Sequence, residues 1–157
     1  MADPRALTIF NHVKTTLEGI TVVNGYHRNV RKVLTGGALN WRSDPDAILL
    51  TPPSGMPAAH EPVAYTRVTM TLPLVCLVHD ANDALAAMFK LSSDVVKALC
   101  GTSTSRTRGG YANDTLVTQQ FRTPFLASDD PSRGAFGMDV VIEYDHTLYD
   151  PDTGIGG

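Results

Sequence analysis

A chain of 157 residues fits one domain with enough mass to bury most of its apolar surface. With 43% hydrophobic and 18% charged residues, its composition is that of a folded chain, and this excludes wholesale disorder. A net charge of -3 and a pI near 5.9 exclude a general nucleic-acid-binding role. The densest basic group, Arg28, Arg31 and Lys32, holds only three cations.

Asp3-Pro4 is a helix start, with Asp as N-cap and Pro at the first helical position. Ala6, Phe10, Val13 and Leu17 recur at helical spacing with Ile9 beside them, which predicts a helix over 4–18 ended by Gly19. Ile20 to Val23 reads as a short strand closed by the Asn24-Gly25 turn signal, and Val30 to Leu34 as a return strand. Ala47 to Leu50 is a further apolar strand. The segment from Thr51 to Pro62 carries four prolines and a glycine and is expected to be an exposed, mobile loop.

Val68, Met70, Leu72, Leu74, Cys76 and Val78 alternate with smaller or polar residues, the period of a strand with one buried face. Pro73 cannot donate to a ladder, so a bulge or an edge is expected there. A second helix is predicted over 82–99, with Leu85, Met88, Phe89, Val95, Val96 and Leu99 as its apolar stripe, Asp80 or Asn82 as its cap and Cys100-Gly101 as its end. The polar stretch 102–113, with Arg106, Arg108 and Gly109-Gly110, is expected to be a mobile loop. A strand over 115–125, ended by Pro124, a charged turn over 128–134, and a strand carrying Phe136, Met138, Val140, Ile142 and Tyr144 on one face follow.

The expected architecture is α+β: a mixed, mostly antiparallel sheet with two helices packed on one face. One domain spans 1–151, and 152–157, rich in glycine, is expected to be a flexible tail. No basic segment leads into an apolar core at the N-terminus. The longest apolar stretch, Leu72 to Val78, is too short to cross a bilayer, so a soluble chain without membrane contact is expected. Cys76 and Cys100, far apart and without CxxC spacing, are expected to be buried and reduced.

The residues show no pattern that chemistry requires. The five histidines form no HExxH and no metal spacing, and neither GxSxG nor a Walker A motif is present. Gly134-Ala135-Phe136-Gly137 is too short and apolar to cradle a phosphate. The pairs Asp44/Asp46, Asp129/Asp130 and Asp150/Asp152 flank prolines and read as turn formers. His79-Asp80, at a strand-to-helix junction, reads as a cap with a solvated imidazole, and Asp145-His146 is read the same way. No catalytic residue, cofactor or metal site is expected.

From residue 4 to 151 the order of elements resembles the tail-terminator and tail-completion proteins of tailed bacteriophages. The resemblance rests on a first helix, Gly19-Ile20-Thr21-Val22-Val23-Asn24-Gly25-Tyr26, a Val30–Leu34 strand, and a Pro45 turn into Ala47–Leu50. It continues through a long strand into Val78-His79-Asp80, a helix carrying Ser93-Asp94-Val95-Val96-Lys97-Ala98-Leu99, and Val140-Val141-Ile142-Glu143-Tyr144 ending at Tyr149-Asp150-Pro151. It implies a structural, non-enzymatic virion protein, made in the host cytoplasm. Such a protein forms a homohexameric ring at the head-proximal end of the tail tube, ends tube polymerisation and receives the neck. The implied partners are copies of the chain itself, the major tail tube protein and the head–tail connector, with DNA passing through unbound. A neck or head-completion protein, or another minor tail protein, is the nearest alternative, and a small α+β enzyme or ligand-binding domain a remoter one.

The loops at 51–62, 101–113 and 126–134 are individual to this chain. Candidate subunit contacts therefore come from the residues themselves: Leu39, Trp41, Arg42 and Asp44 in the loop between Gly36 and Pro45, and Arg106 and Arg108 in the polar stretch. A lone tryptophan among polar residues is tucked into its own core or buried in a partner. For a ring subunit the second is expected, with Arg42 and Asp44 as its rim.

Overall fold

Two strands of fifteen residues pair along their whole length. β4 (Tyr65–His79) runs antiparallel to β6 (Arg133–Thr147) without a register break, from Tyr65 opposite Thr147 to His79 opposite Arg133. The structure, a computed structural model, describes residues 3–60, 65–147 and 150–154. The strand order is β1 (Lys32–Leu34), β2 (Ala47–Leu50), β4, β6 and β5 (Asp114–Leu126), with β3 (Ala58–His60) also on β4 and β7 (Asp150–Gly154) also on β6. Among the described residues only β1 and β2 pair in parallel. The fold is α+β.

Alternation decides which face is buried. Val68, Met70, Leu72, Leu74, Cys76 and Val78 point to the same side as Phe136, Met138, Val140, Ile142 and Tyr144. Helix α1 (Arg5–Glu18) and helix α2 (Ala84–Cys100) cover that side. α1 contributes Ile9, Val13 and Leu17, one residue per turn, and α2 contributes Met88, Leu91, Val95 and Leu99. The opposite face carries the pairs Arg67–Asp145 and Arg122–Asp139, with Val141 between them in the alternation, and has no covering layer among the described residues. Gly137 lets Arg122 lie across the sheet, since a Cβ there would stand 2.6 Å from the guanidinium.

Several local expectations give way to tertiary contacts. Pro4, not Asp3, occupies the α1 cap position, and Asp83 caps α2 by accepting from Ala86 N–H at 3.0 Å. Ile20–Val23 does not pair as a strand. Asn24 instead closes a 3₁₀ turn over Val22–Asn24, donating from its side chain to the Gly19 carbonyl at 2.8 Å, while Gly25 takes φ 90°. Pro73 lies in a central strand. Its carbonyl accepts from Thr51, so its missing N–H faces the same side, where the partner chain loosens at Pro52-Pro53.

The stretch beyond β2 is therefore tied to β4. Ser54 N–H donates to Thr71, Gly55 bridges Thr71, and Ala58–His60 pairs with Thr66–Val68 after a two-residue register shift. It is exposed, as expected, but hydrogen-bonded through His60; Glu61 and Pro62 lie outside the described residues. The stretch 102–113 folds into a helical turn α3 (Ser103–Arg106) and a 3₁₀ turn over Arg108–Gly110. β5 continues through Pro124, which an edge strand tolerates. The tail expected from residue 152 is a strand through Gly154, and 155–157, like Leu148 and Tyr149, lie outside the described residues. Cys76 is buried, whereas Cys100 is only half-buried.

One ionic cluster ties the N-terminal third to this frame. Arg28 makes a two-pronged contact with Asp46, at 2.7 and 2.9 Å, and reaches Asp80 at 2.7 Å. Asp46 also accepts from His79 N–H, and buried Asp94 accepts from the N–H groups of His27 and Arg28 at 3.0 and 2.9 Å. The cluster thus joins the 26–28 segment, β2, the end of β4 and α2. Asp46 is 6% exposed, so Asp46→Ala leaves a nearly buried guanidinium half-matched and is expected to cost about 3 kcal/mol in a urea titration. The Asp80 carboxyl is held down to about 2, first by the N–H groups of Asn82 and Asp83 and then by Arg28. Its folded value lies below the unfolded one, so the stabilisation is present above about pH 4 and lost as pH falls toward 2. Asp80→Asn is expected to flatten the stability–pH curve in that window; an unchanged slope would refute this.

Candidate assembly surface

The apolar stripe of α2 is wider than the face it buries. Leu85 and Phe89, placed with the core in the helical pattern, are 45% and 58% exposed. Phe89 stacks on Phe121 of β5 at 4.9 Å between centroids, and Phe121 stacks in turn on Phe136 at 4.9 Å. An aromatic file therefore leads from the core out to solvent over the edge of the sheet. Beside it, Phe89, Ser92, Ser93, Val96, Lys97, Gln120 and Phe121 line a groove of about 370 Å³.

β5 is the edge strand there, and no described strand pairs with its outer side. Its register against β6 slips three times, between Val117 and Gln119, Gln119 and Arg122, and Arg122 and Phe125. Thr123, at the last slip, has φ 45°. Such bulges coil an edge and interrupt its ladder, which blunts strand-to-strand addition. A contact at this edge would rest on side chains more than on a continuous ladder.

Several residues singled out from the sequence collect along β5. Arg106 pairs with Asp114, the first residue of β5, at 2.9 and 3.0 Å. At the other end Trp41 sits edge-to-face on Phe125 at 6.5 Å, and the Arg42 guanidinium lies 4.3 Å over the indole and 3.2 Å from Asp129. Leu39 and Trp41 are half-buried and Arg42 is exposed. Trp41 thus makes part of its contact within its own chain.

Two candidates point inward instead. Asp44 is 8% exposed; it accepts from Asn40 N–H at 2.6 Å and from Lys32 at 3.1 Å, so its carboxylate closes its own loop rather than rimming a contact. Arg108 is fully buried. Its Nη2 donates to the Leu99 carbonyl at the end of α2, while Nε and Nη1 have no partner. A cation at a helix C-terminus gains up to about 2 kcal/mol. Each unpartnered buried nitrogen costs about 1–3 kcal/mol, and left-handed backbone at an arginine (φ 50°) adds about 1–3 kcal/mol. Burial pushes the guanidinium down to about 10, and burial first, then Arg108, lowers the neighbouring His12.

A second apolar surface lies across the sheet. Ala6, Leu7 and Phe10 of α1, with Pro52, Pro53, Met56 and Met70, line a groove of about 270 Å³ beside the β2–β3 edge. Leu7 and Met56 are 42% and 40% exposed. No sequence motif announces it, because it forms only where the prolines after β2 fold back along α1. A third cleft, of about 290 Å³, is polar and lined by His27, Arg28, Asn29, Arg31, Asp46 and His79, yet its Arg28 is already held by two carboxylates. Among the described residues no three or more His, Cys, Asp or Glu side chains converge as a metal site, and no helix is long and apolar enough to span a membrane. Compared with known proteins, the chain matches no family model and none of the curated sequences.

The half-buried indole makes a two-part expectation. Trp41→Ala should cost the isolated chain only about 1 kcal/mol, the scale of one edge-to-face pair, and weaken self-association by about 2 kcal/mol per contact. Calorimetry at monomeric concentration and sedimentation at high concentration separate the two. A large fall in melting temperature would make Trp41 a core residue only.

Proposed function

We propose that this chain is a structural subunit of a tailed-phage virion that closes into a ring on the head-proximal end of the tail tube. There it would end tube polymerisation and offer the neck its attachment surface. The observation that carries the reading is the presence of two separate apolar surfaces, one beside β5 and one between α1 and the segment after β2. Leu85, Phe89 and Phe121 form the first, along the β5 edge, and Leu7, Phe10, Pro52, Pro53 and Met56 line the second, beside the segment between β2 and β3. Two separate surfaces on one subunit support head-to-tail contact between copies, and head-to-tail contacts close into rings when the rotation per subunit allows. Surfaces of this kind on a monomer would be an aggregation liability without an occupant.

The extended resemblance over residues 4–151 supplies the place of the ring in the virion. Charge supports it independently. At -3 per subunit, six copies would carry about -18, which disfavours adhesion to the phosphates of DNA passing through.

Phe89→Glu in the full chain is expected to leave the fold intact and to hold the protein monomeric in analytical ultracentrifugation at concentrations where the parent assembles. Particles made without the protein are expected to show over-long tails without heads. Normal-length headless tails would assign it to the neck, and a parent chain monomeric at every concentration and on assembled tails would refute the ring.

A further inference from the structure

The turn that carries Arg108 is built unlike the rest of the molecule. Three successive residues, Arg108, Gly109 and Gly110, have φ of 50°, 68° and 96°, all in the left-handed region. Glycines accept that region freely; an arginine does not. The side chain at the strained position is the one fully buried cation among the described residues, and two of its three guanidinium nitrogens meet no acceptor. Elsewhere the inward-leaning arginines have carboxylate partners, although Arg122 Nε, 3.5 Å from Asp139, also makes no hydrogen bond. Arg28 has Asp46 and Asp80, and Arg133 reaches Asp130 and the Asp44 carbonyl. Arg108 has no carboxylate, and its neighbours are a helix-end carbonyl, the half-buried Cys100 and the His12 ring against Gly109.

The ends of this segment are tied by caps and long-range contacts, and its middle mostly by local ones. Thr102 caps the turn of α3 by accepting from Ser105 N–H, Arg106 grips Asp114, and Asn113 N–H donates to Glu143 at 2.7 Å. Between them, Thr107–Tyr111 is held by short turn bonds and by Arg5, which donates to the Tyr111 and Gly110 carbonyls. Strain, an unmatched charge and fixed flanks together describe a segment with a second available position.

We propose that Thr107–Tyr111 is a latch in which Arg108 is stored in the free subunit and turns outward on assembly to meet a carboxylate of a neighbouring copy. This rests on the ring reading for its partner. A second copy fits the chemistry because the chain holds sixteen acidic against thirteen basic residues, so a neighbouring copy offers an excess of carboxylates to an exposed guanidinium. Arg106 and the start of β5 lie beside the turn, so a released side chain would emerge at the Asp114 end of the β5 edge. An arginine in the open position can form the two-pronged pair that its buried position denies it.

The test uses Arg108→Met and Arg108→Lys in the full chain. Removing the charge while keeping the stem should raise the melting temperature of the free subunit by several degrees. It should also slow amide exchange at Thr107, Gly110, Tyr111 and Ala112 at least tenfold, and weaken self-association at least tenfold by sedimentation. The lysine variant should retain part of the association. A methionine variant that melts lower and exchanges faster would make Arg108 a fixed anchor and overturn the latch, as would unchanged association with raised stability. If the parent chain never self-associates, the ring and the neighbour's part in the latch both fall. The exchange measurement still decides whether the turn opens in the free subunit.

Discussion

Everything in this molecule is hung on the unbroken pairing of β4 with β6. Fifteen residues in register fix which side chains of both strands face the helices, because a slip of one would turn the whole apolar set outward. With that face set, α1 and α2 can lie nowhere else. The remaining strands attach outside this pair: β2 and β3 to β4, and β5 and β7 to β6. Quality of pairing falls toward both margins. β2 and β3 are separated by a two-residue shift at the prolines, and β5 slips three times against β6.

That gradient places the exposed apolar surfaces. Central strands consume their hydrogen-bonding groups and bury their side chains, so a second molecule finds little to hold there. The margins keep unpaired backbone and, because two helices do not cover a wide twisted sheet completely, they also keep apolar side chains. Phe89 over β5 and the Pro52-Pro53-Met56 groove beside β2 are two such remainders. Charged groups around them are mostly matched within the chain, as Arg106 by Asp114 and Arg42 by Asp129, so apolar contact would supply the attraction and ion pairs the rim.

Buried charge is used in two opposite ways. Arg28 pairs with Asp46 and Asp80, carboxylates that are themselves held by backbone N–H groups, so the cluster locks a segment without regular structure onto the sheet. Arg108 is desolvated with one acceptor. The first arrangement specifies a single state. The second leaves a group whose best environment lies elsewhere, which is what a conformational change requires.

Periodicity alone determined the α+β class, both helices, the long central strands and the side of each that is buried. Phe136 to Tyr144 and Val68 to Val78 alternate, and α1 repeats with a helical period, so local geometry and burial agree. Long-range contact decided the rest. Ile20–Val23 has strand propensity, yet Asn24 and Gly25 close a tighter turn around it. The loop at 51–60 has loop composition, but β4 offers it free backbone groups. Leu85 and Phe89 satisfy the apolar pattern of α2, and whether they are core or surface depends on where β5 ends the sheet. Arg108 has the composition of a mobile loop around it and is enclosed because α1, α2 and the turn converge on one point. A sequence records what each residue prefers beside its neighbours in the chain; which residues are left without a partner depends on how the elements meet in space.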